Sequence, residues 1–211
     1  NPPVLSTAGF FVQNASVTIM NVSVISTNSV PYGVYASSAY VTISSVNVDS
    51  GGKIYNAGMS ISSYSAVSYS SITVTSSYGL YTSGTLSTLS RSTITSRSIF
   101  GVYALFLDGA SSNTISNSFI SKSTGSSAVR FTAGPNAGYN SITLSTITLN
   151  SYTGTGGAAM VLESSSNTVS QCYVYASTGT GIGLFGAYNT VTQSTVAVVV
   201  NIYTDAAVYF G

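Results

Sequence analysis

The sequence has no histidine, a single cysteine, and only five basic and four acidic residues among 211. Without histidine, the chain cannot form the Ser–His, Cys–His or histidine–metal arrangements on which many enzymes depend. Because Cys172 is the one cysteine, an internal disulfide is excluded as well. Five scattered Lys and Arg residues cannot form the clustered basic surface that nucleic acid requires.

Long apolar runs are also missing, although the mean hydropathy is +0.37. The apolar runs, such as residues 196–200, have the length of a strand and are far shorter than a membrane span. The sequence therefore predicts no membrane-spanning segment. With so little charge, solubility has to come from Ser and Thr hydroxyls, and such a surface is typical of proteins outside the cell.

A short phrase that alternates small polar and aliphatic residues recurs eight times along the chain. It begins at Ala15, Ala39, Ser65, Ser87, Asn113, Asn140, Asn167 and Asn189, with successive starts 22 to 27 residues apart. A period in this range, combined with strand-forming residues, predicts a solenoid with one coil per repeat.

Three positions of each coil, counted from the start of its phrase, are expected to point inward. The third residue is always aliphatic, and the eighth is always Val or Ile. The sixth is small in seven of eight coils: Met20, Ser44, Ser70, Ser92, Ser118, Ser145, Cys172 and Ser194. The fourth and fifth residues then both point outward at a bend. We predict that the column of sixth residues is buried, with its hydroxyls bonded to backbone or to neighbouring coils.

A further strand precedes most phrases, usually after a Gly or Ala. These strands are predicted at residues 32–34, 59–61, 105–107, 129–131, 160–162, 182–184 and 208–210, and residues 8–12 have the same pattern. Gly/Ser/Thr-rich turns of variable length separate them from the preceding strands, and no segment has a helical period.

Residues 113–120, Asn-Thr-Ile-Ser-Asn-Ser-Phe-Ile, resemble the right-handed parallel β-helix repeat of the pectin-lyase-like superfamily, as do residues 167–186 and 189–196. The resemblance covers nearly the whole chain. It implies an all-β fold, a right-handed parallel β-helix formed by a single chain, with about nine coils of 22–27 residues and no substantial helix. Residues 1–211 would form one domain, with 1–14 as a partial first coil and 15–211 as eight coils. The fold alone does not define a function, because it hosts lyases, hydrolases, tailspikes, adhesins and spacers.

Candidate catalytic chemistry centres on two of the four acids. Asp108, Thr132 and Glu163 fall at equivalent positions of three consecutive coils, and Arg130 projects between them. These residues could form the acid pair of an inverting hydrolase or a structural ladder of compensating charges. We favour the ladder Asp108–Arg130–Glu163, because a neutral residue occupies its middle. The calcium-binding acid cluster of the lyases that the fold resembles has no counterpart, so we predict no catalytic, cofactor-binding or metal-binding residue. Cys172 is expected to be a buried small residue.

Two outer surfaces are considered as binding faces. The tyrosines occupy scattered positions relative to the phrase, which predicts no aromatic stacking platform for sugars. Outward Ser and Thr pairs beside the third residue could bind ice or could be ordinary solvated residues that carry glycans. Exposed aliphatic residues at the fifth position, Ile19 and Ile43, are predicted as possible lateral contacts between molecules.

The most informative surfaces are the two ends of the predicted solenoid. The apolar strands at 8–12 and 206–210 would stack as if they were successive coils, through Ala8, Phe10 and Val12 on one copy and Val208, Tyr209 and Phe210 on another. A head-to-tail contact of this kind propagates into a filament. The sequence therefore favours a non-enzymatic subunit of an extracellular filament or surface fibre. The alternatives are a stalk or adhesin segment of a larger surface protein and, less favoured, a carbohydrate-active enzyme or an ice-binding protein. Glycans on Ser or Thr, or on Asn14 and Asn21 in Asn-x-Ser sequences, are possible further partners.

Overall fold

The computed structural model describes residues 8–37, 40–99, 101–150, 157–199 and 206–211. These residues form 25 β-strands and no helix. In chain order the strands are β1 (Ala8–Gln13), β2 (Ser16–Met20), β3 (Ser23–Ile25), β4 (Val30–Ser37), β5 (Tyr40–Ser44), β6 (Asn47–Asp49), β7 (Ile54–Ile61), β8 (Ala66–Ser68), β9 (Ser71–Val74), β10 (Tyr78–Thr82), β11 (Thr88–Ser90), β12 (Thr93–Ser96), β13 (Leu105–Leu107), β14 (Thr114–Ser116), β15 (Phe119–Lys122), β16 (Val129–Phe131), β17 (Ser141–Thr143), β18 (Thr146–Leu149), β19 (Ala158–Leu162), β20 (Thr168–Ser170), β21 (Tyr173–Ala176), β22 (Thr180–Leu184), β23 (Thr190–Thr192), β24 (Thr195–Val198) and β25 (Val208–Phe210).

The strands form three parallel sheets that run the length of the molecule. Sheet A has nine strands in the order β1-β4-β7-β10-β13-β16-β19-β22-β25. Sheet B has eight, β2-β5-β8-β11-β14-β17-β20-β23, and sheet C has eight, β3-β6-β9-β12-β15-β18-β21-β24. Each strand pairs with the strand three places further along the chain, so every three strands complete one coil. The predicted all-β solenoid is confirmed, although the predicted set of sheet A strands omitted β10.

The core lies inside the three sheets and consists of columns of like residues. From the third coil to the seventh, the third residue of every phrase is at most 3% exposed and the eighth is 0% exposed. In the last coil the equivalent residues, Val191 and Val196, are partly buried because no later coil covers them in the described structure. The predicted inward positions are therefore confirmed for this part of the chain.

Each coil bends sharply between sheet B and sheet C at one residue in the left-handed backbone region. These corner residues, with φ between 47° and 56°, are Asn21, Ser45, Tyr69, Arg91, Asn117, Leu144, Gln171 and Gln193. A second left-handed corner leads into sheet B, for example at Tyr139 (φ 57°) and Ser166 (φ 58°). The predicted bend is thus a single left-handed residue, which turns the chain while keeping the next coil in register.

The register of the first two coils differs from the prediction by two residues. Strand β5 pairs with β8 through Ile43↔Val67 and Ser44↔Ser68, so Ile43 takes the place of a third residue. The first two phrases consequently begin at Val17 and Val41. Their sheet B strands are five residues long, and two aliphatic residues per strand point inward.

The prediction that Ile19 and Ile43 form an exposed lateral contact is therefore wrong. Ile19 is 5% exposed and Ile43 is 0% exposed, because both belong to the core column that continues into Val67. Met20 and Ser44 also leave the predicted column of small residues, and Met20 is 55% exposed.

The serine column itself is buried and fully bonded, as predicted, from Ser70 to Ser145. The Ser118 hydroxyl donates to the Ser116 carbonyl at 2.8 Å and accepts from the Ser92 backbone N–H at 3.3 Å. The same two bonds recur at Ser70 and Ser92. Each hydroxyl thus satisfies the N–H that follows the left-handed corner of the preceding coil.

An asparagine ladder has the same role at the other corner. Asn140 Oδ1 accepts from the backbone N–H and the side-chain Nδ2 of Asn113, both at 3.0 Å. Asn140 Nδ2 donates to Asn167 Oδ1 and to the Ala110 carbonyl, again at 3.0 Å. Asn167 repeats the pattern with Asn189, and in the earlier coils Ser87 and Ser65 hydroxyls take over the acceptor role. Sequence reasoning noted the leading Asn but did not identify its burial.

We predict that Ser118→Leu lowers the free energy of unfolding by about 1–3 kcal/mol, because the larger side chain overpacks the corner and removes a hydroxyl acceptor. Urea unfolding followed by circular dichroism measures the change. The control is Thr114→Leu, on the exposed side of the neighbouring strand, which should have little effect. Equal stability of Ser118→Leu and the parent would contradict the assigned role of the column.

We also predict that Asn140→Leu destabilises the coil, on the order of 1–3 kcal/mol for each buried polar group left unpaired. Asn140 is 1% exposed, so water cannot replace the lost bonds. Thermal unfolding should show a clear loss for this variant and almost none for Asn150→Leu at an exposed position. Similar melting temperatures for the two variants would rule out the ladder as a main source of stability.

Candidate functional surfaces

The outward face of sheet A carries a concentration of aromatic side chains. Residues between the two inward positions of each strand point outward and align from coil to coil: Phe11, Tyr35, Ser60, Tyr81, Phe106, Arg130, Val161, Gly183 and Tyr209. Further aromatic residues, Tyr32, Tyr78 and Tyr103, lie beside this column and contact it.

The aromatic side chains form two groups on this face. In the first group, the ring centroids of Phe11 and Tyr35 are 5.6 Å apart with an interplanar angle of 19°, and those of Tyr32 and Tyr35 are 4.5 Å apart. The second group joins Tyr78, Tyr81, Tyr103 and Phe106, with centroid distances from 5.0 Å to 6.1 Å. Such separations are typical of favourable aromatic pairs.

The prediction that the tyrosines are scattered and do not align in adjacent coils is therefore wrong. Their positions were counted from the phrase, which fixes the register of sheets B and C, whereas these rings belong to sheet A. The unpredicted strand β10 supplies Tyr78 and Tyr81. Alignment of the aromatic residues within the strands that precede the phrase could have found the column.

A groove lies between the two aromatic groups. Tyr35 and Tyr81 pair in register with Ser60, one on each side, so the small Ser60 forms the floor between two rings. The groove has a volume of about 380 Å³, and Tyr32, Tyr35, Ala36, Ser37, Ser60, Ile61, Ser62, Tyr81 and Ser83 line it. Beside it, Asn56 Nδ2 donates a hydrogen bond to the Tyr32 hydroxyl at 2.6 Å.

The groove is uncharged, since none of its lining residues is an acid or a base. Burial raises the pKa of Tyr32, with a smaller contribution from Tyr35. Burial also raises the pKa of Tyr81, to which the negative charge of Asp108 adds. The phenols thus remain protonated at neutral pH and present hydroxyl groups. The Tyr81 hydroxyl donates a hydrogen bond to Asp108 Oδ2 at 3.2 Å.

The predicted charge ladder is present only in part. Asp108, Thr132 and Glu163 occupy equivalent positions of successive coils, as expected. Arg130 forms an ion pair with Glu163, through Nη2–Oε1 at 2.6 Å and Nε–Oε2 at 3.2 Å. Asp108 instead accepts hydrogen bonds from Thr132 Oγ1 at 2.9 Å and from Tyr81.

Arg130 also contacts the aromatic face. Its guanidinium donates a hydrogen bond to the Tyr103 hydroxyl and lies 5.3 Å from the centre of that ring. The residue is thereby held between Glu163 and the second aromatic group. Of the remaining acids, Asp49 accepts from the Gly51 backbone N–H at 3.1 Å, and Asp205 lies outside the described residues.

Two core side chains, those of Cys172 and Lys122, carry an ionisable group. Cys172 is 4% exposed, and its thiol donates to the Ser170 carbonyl at 3.2 Å, so it replaces a serine in the column as predicted. Burial raises the pKa of the thiol, which keeps it in the unreactive protonated form.

The other core side chain, Lys122, was missed by the sequence analysis. It is 0% exposed, and its Nζ donates to the Ser98 carbonyl at 2.8 Å. It aligns with Ser96 and Leu149 in an inward column of sheet C. The inward position could have been read from alternation, because Lys122 follows the buried Ile120 by two residues.

The predicted assembly residues lie on the two edge strands of sheet A, β1 and β25. On β25, Tyr209 is 48% exposed and Phe210 is 75% exposed, while Val208 is partly buried. On β1, Phe10 is 36% exposed, whereas Ala8 and Val12 are buried. Among the described residues, each edge strand has a pairing partner on one side only.

Within the described ranges, no group of three or more His, Cys, Asp or Glu residues could hold a metal ion. The same residues include no helix long and apolar enough to cross a membrane.

The winding of one chain into three parallel sheets defines the class of parallel β-solenoid proteins. The family described as "Right handed beta helix region" matches residues 78–207, and the chain belongs to this family. The winding is accordingly right-handed, and the resemblance to β-helix repeats of the pectin-lyase-like superfamily is confirmed. The chain matches no curated protein and no solved structure.

We predict that Lys122 makes stability depend on pH. Burial lowers the pKa of Lys122 from 10.5 to about 8. Below pH 8 the amine is charged in both the folded and the unfolded state, and the fold bears the full cost of the buried charge. Between pH 8 and 10.5 the unfolded chain binds more protons, so the free energy of unfolding rises with pH.

Replacement of Lys122 by Met should remove this dependence and raise stability near pH 7 by on the order of 1–3 kcal/mol. The measurement is the difference in unfolding free energy between the parent and Lys122→Met across pH 7 to 10.5, since tyrosine titration is common to both. A difference that stays constant over this range would show that Lys122 keeps an ordinary pKa.

Proposed function

We propose that the chain is a non-catalytic structural subunit of an extracellular filament or surface fibre, and that copies assemble head to tail through the edges of sheet A. The observation that carries the proposal is the exposure of apolar side chains on an edge strand, with Phe210 at 75% and Tyr209 at 48%. An edge strand with free backbone groups and exposed apolar residues favours pairing with another chain.

The register of sheet A supports a match between the two edges. Ile182 pairs with Val208, and Phe10 pairs with Val34, so Val208 and Phe10 occupy the same column of sheet A. If β25 of one copy pairs with β1 of the next, Val208 would therefore lie beside Phe10. In the same register, Phe210 would meet Val12 of the next copy. Tyr209 would meet Phe11, much as Phe11 stacks on Tyr35 within the chain.

Apolar core side chains are also accessible at both ends of the described solenoid. At the β1 end, an opening of about 530 Å³ is lined mainly by apolar side chains that include Phe10, Val17 and Ile19. At the β25 end, Val191, Val196 and Val208 are only partly buried. A second copy would extend the inward columns of sheet A at this junction, and each Val or Phe that becomes buried there contributes about 1.5–3 kcal/mol.

Composition supports a location outside the cell. Charged residues make up 4% of the chain, and outward Ser and Thr hydroxyls supply the polar surface. Asn14 and Asn21, the two candidate glycosylation sites, are exposed at left-handed corners with φ of 52° and 56°. A glycan could be attached at either position without entering the core. We propose no nucleic-acid partner and no membrane span.

The alternative is a stalk or adhesin segment of a larger surface protein, in which further coils of the same chain cover the edges. Both proposals use the same edge strands, and they differ in whether an isolated chain polymerises. A carbohydrate-active enzyme and an ice-binding protein have less support. Asp108 and Glu163 are bonded to other side chains, and the outward hydroxyl rows of sheet B mix Ser with Thr and include Ala66.

The test is electron microscopy of the purified chain. We expect filaments with an axial repeat of about 40 Å, because roughly nine coils stack at about 4.8 Å each. Phe210→Asp should abolish long filaments while circular dichroism remains unchanged, since each coil contacts only its neighbours. The matched control is Tyr139→Asp, at a 73% exposed corner in the middle of the rod, which should leave filaments intact.

Short single rods from the parent chain at high concentration would favour the stalk or adhesin. Filaments of unchanged repeat from Phe210→Asp would exclude the sheet A edges as the contact.

A further inference from the structure

We propose that the groove between Tyr35 and Tyr81 is a binding site for a neutral glycan. The site lies on the outward face of sheet A, away from the edge strands, and it does not depend on filament formation. The ligand is identified by three features of the groove: the spacing of its aromatic side chains, its polar groups and its lack of charge.

The spacing suits a sugar ring. Tyr35 and Tyr81 lie on strands that flank β7, so their backbones are about 9.6 Å apart, twice the strand spacing of about 4.8 Å. A ring in contact with an aromatic side chain on each face needs roughly 7–8 Å, from two carbon–carbon contacts of 3.5–4.0 Å. The backbone spacing therefore leaves room for a flat ring with one tyrosine on each side, above Ser60, which is itself buried.

The polar groups suit a ligand that carries hydroxyls. Ser37, Ser62 and Ser83 form a row along one margin of the groove. Tyr32 accepts a hydrogen bond from Asn56 and keeps its own proton free to donate. Hydroxyl groups both donate and accept, as do those of a sugar, so a sugar can match them without a charged partner.

The electrostatics of the groove disfavour a charged ligand. None of the lining residues can pair with a carboxylate, sulfate or phosphate. Asp108, which accepts a hydrogen bond from the Tyr81 hydroxyl, would repel an anion, and Arg130 is held by Glu163 and Tyr103. Charge complementarity therefore selects an uncharged ligand.

The aromatic groups on either side of the groove extend the site along the axis of the solenoid. Phe11 lies beyond Tyr35, and Phe106 lies beyond Tyr81, on the same outward column. A glycan that runs along the rod can contact rings over five successive coils. A proline-rich peptide can also use an aromatic groove, but the row of serine hydroxyls favours the glycan.

Calorimetric titration with soluble neutral oligosaccharides tests the site. The probes are cellohexaose, mannohexaose and N-acetylchitohexaose, with oligogalacturonate and decaproline as charged and peptide comparisons. We expect at least one neutral probe to bind at concentrations up to about 10 mM. Tyr35→Ala and Tyr81→Ala should each weaken that binding tenfold or more.

Two further variants separate stacking from loss of structure. Tyr81→Phe keeps the ring and should retain most of the affinity, whereas Tyr139→Ala removes an exposed tyrosine far from the groove and should have no effect. Circular dichroism verifies that each variant is folded. The titration is repeated in the Phe210→Asp background, where binding should persist, so its outcome is independent of the assembly test.

Three outcomes would overturn the proposal. The first is that none of the neutral probes binds. The second is that a neutral probe binds with equal affinity to the parent and to Tyr35→Ala and Tyr81→Ala. The third is that only oligogalacturonate or decaproline binds.

Discussion

The structure depends on one requirement that arises twice in each of the middle coils. The chain turns through a left-handed residue, and the backbone N–H that follows it has no carbonyl partner in the parallel ladder. At Asn117 the next N–H, that of Ser118, is bonded to the Ser145 hydroxyl; at Tyr139 the next, that of Asn140, is bonded to Asn167 Oδ1. In both cases the acceptor comes from the following coil. Because buried backbone groups must be paired, each coil is stable only when its neighbour is in register.

This requirement explains why the outer faces are ordered as columns. Since corner bonds fix the register of sheets B and C at each coil, the strands of sheet A that connect them also align. The connections that enter and leave sheet A vary in length, as between β9 and β10 and between β16 and β17, whereas the bends between sheets B and C have a constant length. The aromatic column from Phe11 to Phe106 follows directly, because outward residues two or more coils apart are held at multiples of the strand spacing. A solenoid can therefore build an extended site from single residues that are far apart in sequence.

Much of the fold could be predicted from sequence, because the core repeats with the phrase. The period, the inward aliphatic residues and the buried serines can be predicted because equivalent core positions carry similar residues in successive coils. The first two coils were misaligned since Val41 and Ile43 both fit the third position, and only the pairing of Ile43 with Val67 decides between them. The groove was missed for a different reason. Outward residues have no repeating identity, so the encounter of Tyr35 with Tyr81 across Ser60 depends on strand register that the phrase does not define.

The contrast between the inward and outward faces of sheet A bears on function. Its inward columns are mainly aliphatic, as packing demands, yet its outward column is aromatic in four of the first five coils and then continues as Arg130, Val161 and Gly183. The later coils fold with these residues, so outward rings are not needed to form a coil. Half-exposed rings that the fold does not require, placed around an uncharged groove with serines along its margin, are better explained by contact with a ligand than by stability. The edge strands differ in this respect, because their exposed residues Phe10 and Phe210 belong to the inward columns and would be buried by one more coil of any origin.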